Sequence, residues 1–117
     1  MNQAQAIMEK QVEAYNERNM EKFLSCFADD IEFFNLHDSQ RVLNGKESVR
    51  EDFTKLFESS PNLSLVIKSR IVCGNYVTDH EIVHGAARYP NGIEVVSINE
   101  IQNGLIRKIW FTPTIIY

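Results

Sequence analysis

The side chains best suited to acid–base chemistry fall in two short segments of this sequence, His37-Asp38 and Asp79-His80-Glu81. Histidine titrates near neutral pH, so it can take or give a proton without a special environment. Two carboxyl groups held close together shift each other's pKa, which can leave a protonated acid beside an ionised base. Asp38, His37, Asp79 and Glu81 are therefore the candidate catalytic residues.

The role of Asp79 and Glu81 depends on which face of a strand they occupy, and strict alternation puts both on the same face. If that face lines a pocket, the two carboxyl groups can act together on a bound molecule. If it faces solvent, they would pair with Lys68 and Arg70 on the neighbouring strand. We favour the inward orientation, because acidic residues at the centre of a strand are uncommon without a role.

His37-Asp38 also has two interpretations. The pair begins a polar connection, 37–43, that follows a first short strand and would lie near the rim of a pocket. In the alternative interpretation this is a solvated loop, in which aspartate and serine serve turn formation.

Composition excludes several classes of partner. The formal net charge is −4, with 12 basic and 16 acidic residues, which argues against nucleic acid and against anionic membrane surfaces. No apolar run approaches the roughly 20 residues of a membrane span. The first residues lack the apolar core of a signal peptide, so we expect a cytoplasmic protein.

The metal-ligating residue types do not cluster. Cys26 and Cys73 lie far apart, and the three histidines are scattered. We therefore expect no metal site, no cofactor and no disulfide. Both cysteines are interpreted as small buried hydrophobic residues.

Three amphipathic helices are expected in the first half of the chain. Apolar residues of 4–15 form one stripe at helical spacing. Asn19 is a suitable N-cap for a second helix, with a buried face that runs to Phe27 before Ala28-Asp29-Asp30 ends it. Asn44-Gly45 opens the third helix, whose apolar side chains recur at i, i+4, i+7 and i+8, and Pro61 follows its end.

The remaining segments are of β type. A short strand is expected over 31–36, and after Pro61 an antiparallel meander of four strands over 63–73, 76–88, 93–101 and 105–117. Gly74-Asn75 and Asn103-Gly104 are hairpin signals. In the first strand of the meander, alternation places Leu65, Ile67, Ile71 and Cys73 on one face and Lys68 and Arg70 on the other.

Grouped helices followed by a meander predict one α+β domain over residues 1–117, with three N-terminal helices packed on a curved, mainly antiparallel sheet. A sheet that curls over helices forms a cone, and its wide end makes an apolar pocket. The candidate wall residues of that pocket are Tyr15, Phe33, Phe53, Phe57, Val83 and Trp110. Trp110 could instead belong to a dimer surface, because it faces the same way as Lys108 and Thr112.

Three segments resemble one known family. They are Ala14–Glu21 with Phe27-Ala28-Asp29-Asp30, then Asn44–Arg50, and the closing hairpin Asn103–Phe111. Together they are similar to the nuclear transport factor two-like superfamily, in its SnoaL-like and ketosteroid-isomerase-like branch. The resemblance implies a conical, cystatin-like α+β barrel and a homodimer packed through the sheet.

The same resemblance does not bring the isomerase's catalytic residues. The position of its general-base aspartate corresponds to Asn35, which we include among the candidate ligand-binding residues. Its oxyanion-hole tyrosine corresponds to Gln11, and its oxyanion-hole aspartate to Val96 or Ser97. An amide cannot replace a base that must take a proton near neutral pH.

Three functions remain open from the sequence. The first is acid–base isomerase or cyclase chemistry on a small apolar carbonyl compound in the pocket. The second is non-catalytic binding of a small apolar ligand. The third is an interaction module that uses the apolar sheet face, and a homodimer is compatible with all three.

Overall fold

The computed structural model describes residues 2–117. The helices are α1 (Gln3–Glu17), α2 (Met20–Leu24) and α3 (Lys46–Ser59). The strands are β1 (Phe27–Asn35), β2 (Arg41–Asn44), β3 (Ser64–Cys73), β4 (Tyr76–His84), β5 (Ile93–Gln102), β6 (Leu105–Phe111) and β7 (Ile115–Ile116). No helix within these residues is both long and apolar enough to cross a membrane.

The three helices pack against one face of a curved mixed sheet, which confirms the expected α+β class. The sheet order is β2-β1-β6-β5-β4-β3, and β7 pairs with β5. Neighbours are antiparallel except β1 and β6, which run parallel. The antiparallel run β3-β4-β5-β6 is the expected meander, and the face toward the helices is called the inner face below.

Local signals set most of the boundaries. The Asn2 and Asn19 side chains cap α1 and α2, accepting hydrogen bonds from Gln5 N at 2.8 Å and from Lys22 N at 3.2 Å. The hairpin between β5 and β6 turns at Asn103 (φ 54°) and Gly104 (φ 77°), both left-handed as a two-residue hairpin of this type requires.

The end of the second helix differs from the expectation. α2 stops at Leu24, and Phe27 already begins β1. Phe27 pairs with Ile106 of β6, and the Cys26 carbonyl accepts from Ile106 N at 2.8 Å. Residues whose local pattern predicts the end of a helix are therefore part of a strand, because they pair with the parallel strand β6.

The connection after β1 also contains structure that the sequence did not indicate. Residues 41–44 form β2, an edge strand that pairs with β1. This strand has only four residues, and three of them are exposed. Its sequence therefore does not show the alternation of apolar and polar residues that identifies a half-buried strand. Arg41 and Glu32 join the two strands by an ion pair at 3.0 Å.

A β-bulge in β3 reverses the expected facing of its second half. Ile67 pairs with Glu81, but Ser69 pairs with His80, so Lys68 is an extra residue. Beyond it Arg70 points to the inner face. The expected placement of Ile71 and Cys73 on one face with Leu65 and Ile67 is therefore wrong, and so is the expected burial of Cys73: Ile71 is 68% exposed and Cys73 is exposed. Cys26 is buried, as expected.

The last segment of the chain bends back instead of continuing one long strand. β6 ends at Phe111, before Pro113. Ile116 then pairs with Ile93 on β5. Proline has no backbone N–H to donate to a neighbouring strand, so the ladder breaks there. The bend therefore brings the last residues of the chain back to β5.

Candidate functional site

A cavity of about 420 Å³ lies between the helices and the inner face of the sheet. Most of its lining is apolar, and five of the lining side chains are aromatic: Tyr15, Phe23, Phe33, Phe53 and Phe111. Six polar residues also line it: Gln11, Asp52, Glu81, Ser97, Asn99 and Thr114. An apolar cavity with a few polar groups is typical of a small-molecule site.

The mouth of the cavity is formed by three different elements. Val42 of β2, Asp52 of α3 and Thr114 before β7 are the exposed residues of its lining. Glu81, Ser97 and Asn99 come from β4 and β5 at the centre of the sheet. A ligand that enters past the first three residues meets the polar groups of the sheet deeper inside.

Glu81 is the ionisable group that the sheet presents to the cavity. β4 pairs with β3 on one side and β5 on the other, so its backbone is held along the whole strand. Glu81 Oε2 accepts a hydrogen bond from Ser97 Oγ at 2.5 Å. The other oxygen, Oε1, has no hydrogen-bond partner among residues 2–117 and is free to meet a ligand.

The cavity changes the acidity of this carboxyl group. Burial raises the pKa of Glu81 to about 7, and the charge of Asp79 adds to the rise. The hydrogen bond from Ser97 and the charge of Arg70 act in the opposite direction. At neutral pH both protonation states are therefore populated, which suits a group that takes up and returns a proton.

A short hydrogen-bond chain orients Glu81. Asn99 Nδ2 donates to the Val77 carbonyl oxygen and to Ser97 Oγ, both at 3.0 Å. Because Ser97 Oγ accepts from Asn99, its own hydrogen is directed toward Glu81. Ser97 and Asn99 are each 1% exposed, so this chain is fixed by its surroundings.

We expect Ser97→Ala to raise the pKa of Glu81 further above about 7, because the hydrogen bond that it removes favours the ionised carboxylate. The measurement is an NMR titration of the side-chain carboxyl carbon. Ser97→Thr keeps a hydroxyl at this position and serves as the matched control. An unchanged midpoint in Ser97→Ala would contradict the geometry of the chain.

Asp79 faces the inner side of the sheet but does not line the cavity. Arg70 Nε donates to Asp79 Oδ1 at 2.6 Å, and an Arg70 terminal nitrogen donates to Oδ2 at 2.9 Å. Asp79 is 0% exposed, so both of its oxygens are committed to Arg70. Each of the two alternatives for these acids is therefore correct in part. Both acids face inward, as the first alternative expected. Asp79 nevertheless pairs with Arg70, as the second expected, because the bulge at Lys68 turns Arg70 to the inner face.

Tyr15 of α1 supplies a second polar group to the cavity. Its ring packs edge-on against Phe57, with ring centroids 5.6 Å apart, and this fixes its direction. Burial and the nearby charge of Glu81 raise the pKa of the hydroxyl, so it remains a hydrogen-bond donor. It has no hydrogen-bond partner among residues 2–117. Gln11 lies one helical turn earlier and lines the same cavity.

His37 and Asp38 lie away from the cavity, in an exposed turn after β1. Asp38 Oδ1 accepts from Gln40 N at 2.9 Å, which is the turn-forming role considered for it. His37 Nε2 is 3.5 Å from Asp38 Oδ2. The structure therefore does not bring this pair together with Asp79 and Glu81.

The expected wall residues divide into two groups. Tyr15, Phe33, Phe53 and Val83 line the cavity. Phe57, Trp110 and Asn35 are outside its lining.

Each of the three has a structural reason. Phe57 packs behind the wall, in contact with Phe53. Trp110 projects from the outer face and stacks on Phe34 at 5.7 Å, since its neighbours in β6 point inward. Asn35 ends β1, where its backbone bonds to Gln40 and Ser39.

Among the polar lining residues, Asn99, Asp52 and Thr114 were not expected from the sequence. Asn99 follows Ser97 by two positions on a strand whose inner face is otherwise apolar, and this interruption of the pattern could have identified it. Asp52 lies on α3 and shows no pattern that separates it from other exposed acids. Within residues 2–117, no three histidine, cysteine, aspartate or glutamate side chains converge to hold a metal ion.

Comparison with known families gives one match by sequence. The model of the SnoaL-like domain matches residues 8–109. A search of curated proteins by sequence finds no match.

Many solved structures share the fold. A cystatin-fold protein from Novosphingobium aromaticivorans has a TM-score of 0.82 at 22% identity, over 95% of this chain and 97% of that one. A candidate ketosteroid isomerase from Kribbella flavida has a TM-score of 0.79 at 16% identity, over 94% of this chain and 76% of that one. A candidate polyketide cyclase from Sinorhizobium meliloti has a TM-score of 0.75 at 15% identity, over 91% of this chain and 93% of that one.

Proposed function

Because the chain belongs to the SnoaL-like domain family, we propose that it moves a proton next to the carbonyl group of a small apolar substrate, with Glu81 as the base. The observation that carries this proposal is the carboxyl oxygen of Glu81 that is free inside an apolar cavity. Two proteins of the same fold are described as a candidate isomerase and a candidate cyclase, and both reaction types begin with such a proton transfer.

The proposed step needs no further reactant. The ionised Glu81 carboxylate takes a proton from the carbon beside the carbonyl, and the electron pair of that C–H bond moves to form an enolate. The protonated carboxyl group then returns the proton to another carbon of the same conjugated system. Isomerisation is complete, and Glu81 is again ionised.

The enolate oxygen needs hydrogen-bond donors where its charge develops. The Tyr15 hydroxyl supports this role, because it lines the cavity, stays protonated and has no partner among the described residues. The Gln11 amide lines the same cavity, at the position that corresponds to the oxyanion-hole tyrosine in the resemblance. The apolar surroundings strengthen both hydrogen bonds.

The direct test uses small apolar ketones such as 1-tetralone in deuterated buffer. NMR measures exchange of the protons next to the carbonyl, with the protein-free buffer as background. Exchange above that background supports the proposal. A ketone that binds in the cavity without any gain in exchange contradicts it.

We expect the rate of this exchange to rise with pH along a single titration curve with a midpoint near 7. The reason is that the base must be ionised, and burial raises the pKa of Glu81 to about 7. The check is a pH series of initial rates at saturating protein. A midpoint near 4.5, the ordinary value for a glutamate, would contradict a base whose pKa is raised by burial, as that of Glu81 is.

The second candidate function is binding of a small apolar ligand without chemistry. It is favoured by one observation: the positions that correspond to the isomerase's base and oxyanion-hole tyrosine carry amides, Asn35 and Gln11. An ordered ligand in the cavity, with full binding and no exchange in the test above, is the result that this function predicts.

We also propose a homodimer through the outer face of the sheet. Exposed apolar side chains on that face support it, namely Val66, Ile71 and Tyr76. The Phe34–Trp110 stack lies on the same face. Sedimentation equilibrium is the test, and a monomer at high protein concentration would contradict it.

A further inference from the structure

The charges that line the cavity are of one sign. Two carboxyl groups, Glu81 and Asp52, are part of the lining, and no lysine, arginine or histidine of residues 2–117 is. Arg70 is the cation whose charge reaches Glu81, but two of its nitrogens are bonded to Asp79 and it does not line the cavity. The cavity therefore offers negative charge without a counter-ion.

The negative charge of the cavity should make it bind cationic ligands much more tightly than anionic ones. An anionic ligand would leave water to enter an apolar site beside a like charge, and no cation of the lining would compensate that charge. A cationic ligand would supply the counter-charge that Glu81 lacks. Five aromatic rings line the same cavity, and aromatic rings attract ammonium groups.

We propose that the cavity binds organic ammonium ions, with the positive charge held against the free oxygen of Glu81. This inference rests on the cavity and the Glu81 orientation of the proposed function, but it does not require turnover. A bound cation would occupy the oxygen that serves as base, so such ions would also act as inhibitors of the exchange reaction.

The other ionisable groups around Glu81 do not reproduce this effect. Asp79 of β4 and Arg70 of β3 form an ion pair with two hydrogen bonds, so their opposite charges largely cancel. The hydroxyl of Tyr15 on α1 has a raised pKa and stays neutral. Asp52 of α3 lies at the exposed mouth, and the lining residues of β5 and β6 carry no ionisable group.

The test uses three probes of matched shape and different charge: phenyltrimethylammonium, tert-butylbenzene and benzenesulfonate. Isothermal titration or NMR titration gives their dissociation constants near pH 6 and near pH 8.5. Near pH 8.5, where Glu81 is ionised, we expect the cation to bind best and the anion worst. Equal binding of the cation and the neutral probe at that pH, or preference for the anion, would overturn the inference.

The pH dependence identifies the carboxyl group involved. The charge of phenyltrimethylammonium is fixed, so any pH effect comes from the protein. If only the ionised form of Glu81 binds the cation, its affinity should rise about tenfold from pH 6 to pH 8.5, because the ionised fraction rises by about that factor. The affinity for tert-butylbenzene should stay nearly constant.

Two variants complete the test. Glu81→Gln should lose the pH effect and the preference for the cation but still bind tert-butylbenzene, which shows that the cavity is intact. Asp52→Asn, which changes the carboxyl group at the mouth, should keep the pH effect. Loss of the pH effect in Asp52→Asn alone would place the cation at the mouth and overturn the inference.

The two proposals fail in different experiments. If the protein catalyses ketone exchange but shows no preference for the cation, the proton-transfer proposal is supported and the ammonium site is contradicted. If the cation binds in a way that depends on Glu81 but no ketone exchange occurs, the ammonium site is supported and the proton-transfer proposal is contradicted.

Discussion

Glu81→Gln is expected to reduce ketone proton exchange by about a hundredfold or more, the usual contribution of a positioned general base. The amide has nearly the same shape as the carboxyl group but cannot take a proton at neutral pH. The measurement is the exchange rate near pH 8, where the wild-type carboxyl group is ionised.

The same substitution should make the protein more stable at that pH. Burial raises the folded-state pKa of Glu81 above its ordinary value of 4.5, so the folded state holds this proton more tightly than the unfolded state does. This contribution to stability is therefore lost as pH rises from about 4.5 to about 7. At higher pH the buried carboxylate costs on the order of 3 kcal/mol, which glutamine avoids.

A matched control separates this result from a general charge effect. Glu100 lies on β5 and accepts a hydrogen bond from Tyr76 at 2.9 Å, outside the cavity lining. Glu100→Gln removes the same charge from the neighbouring strand and should leave the exchange rate unchanged. Wild-type exchange in Glu81→Gln, or equal losses in both variants, would contradict the assignment of Glu81 as the base.

Arg70→Met is expected to destabilise the protein by about 3–5 kcal/mol, because it leaves the carboxylate of Asp79 buried without a partner. Asp79 is 0% exposed and the Arg70 side chain 16% exposed, so water cannot replace the lost interaction easily. Urea unfolding monitored by circular dichroism measures the change in the free energy of unfolding.

The double variant Arg70→Met with Asp79→Leu tests the reason for that loss. It removes the buried charge together with its partner, so much of the stability should return. Arg50→Met is the control for loss of an arginine as such, since Arg50 pairs with Glu21 at 2.8 Å on the exposed surface. If Arg70→Met cost no more than Arg50→Met, the buried pair would not stabilise the sheet.

Much of the fold follows from local features of the sequence. The N-caps Asn2 and Asn19 and the hairpin Asn103-Gly104 act within a few residues, and the structure has each of them in the geometry that its residue types favour. Boundaries that depend on distant partners were predicted less well. Phe27 continues a helical pattern, but pairing with β6 makes it part of a strand.

The orientation of a strand's side chains depends on its neighbours as well as its own pattern. Alternation in β4 correctly placed Asp79 and Glu81 on one common face, because β4 is regular along its whole length. The structure shows that this face is the inner one. The same argument was wrong for Ile71 and Cys73 of β3. The bulge at Lys68 adds one residue to that strand, so every later side chain of β3 points to the face opposite to the one that alternation predicts. A bulge leaves no clear mark in the residues themselves.

The sequence by itself determined the α+β class, the order of the helices and of the meander strands, and the shared face of the two acids of β4, since these follow from short-range periodicity and from family resemblance. Only the tertiary structure decided what each acid does. Asp79 and Glu81 are two residues apart on one face, yet Arg70 stands opposite one of them and open cavity lies beside the other. The chemistry of a carboxyl group depends on its surroundings, and those surroundings come from strands distant in the sequence.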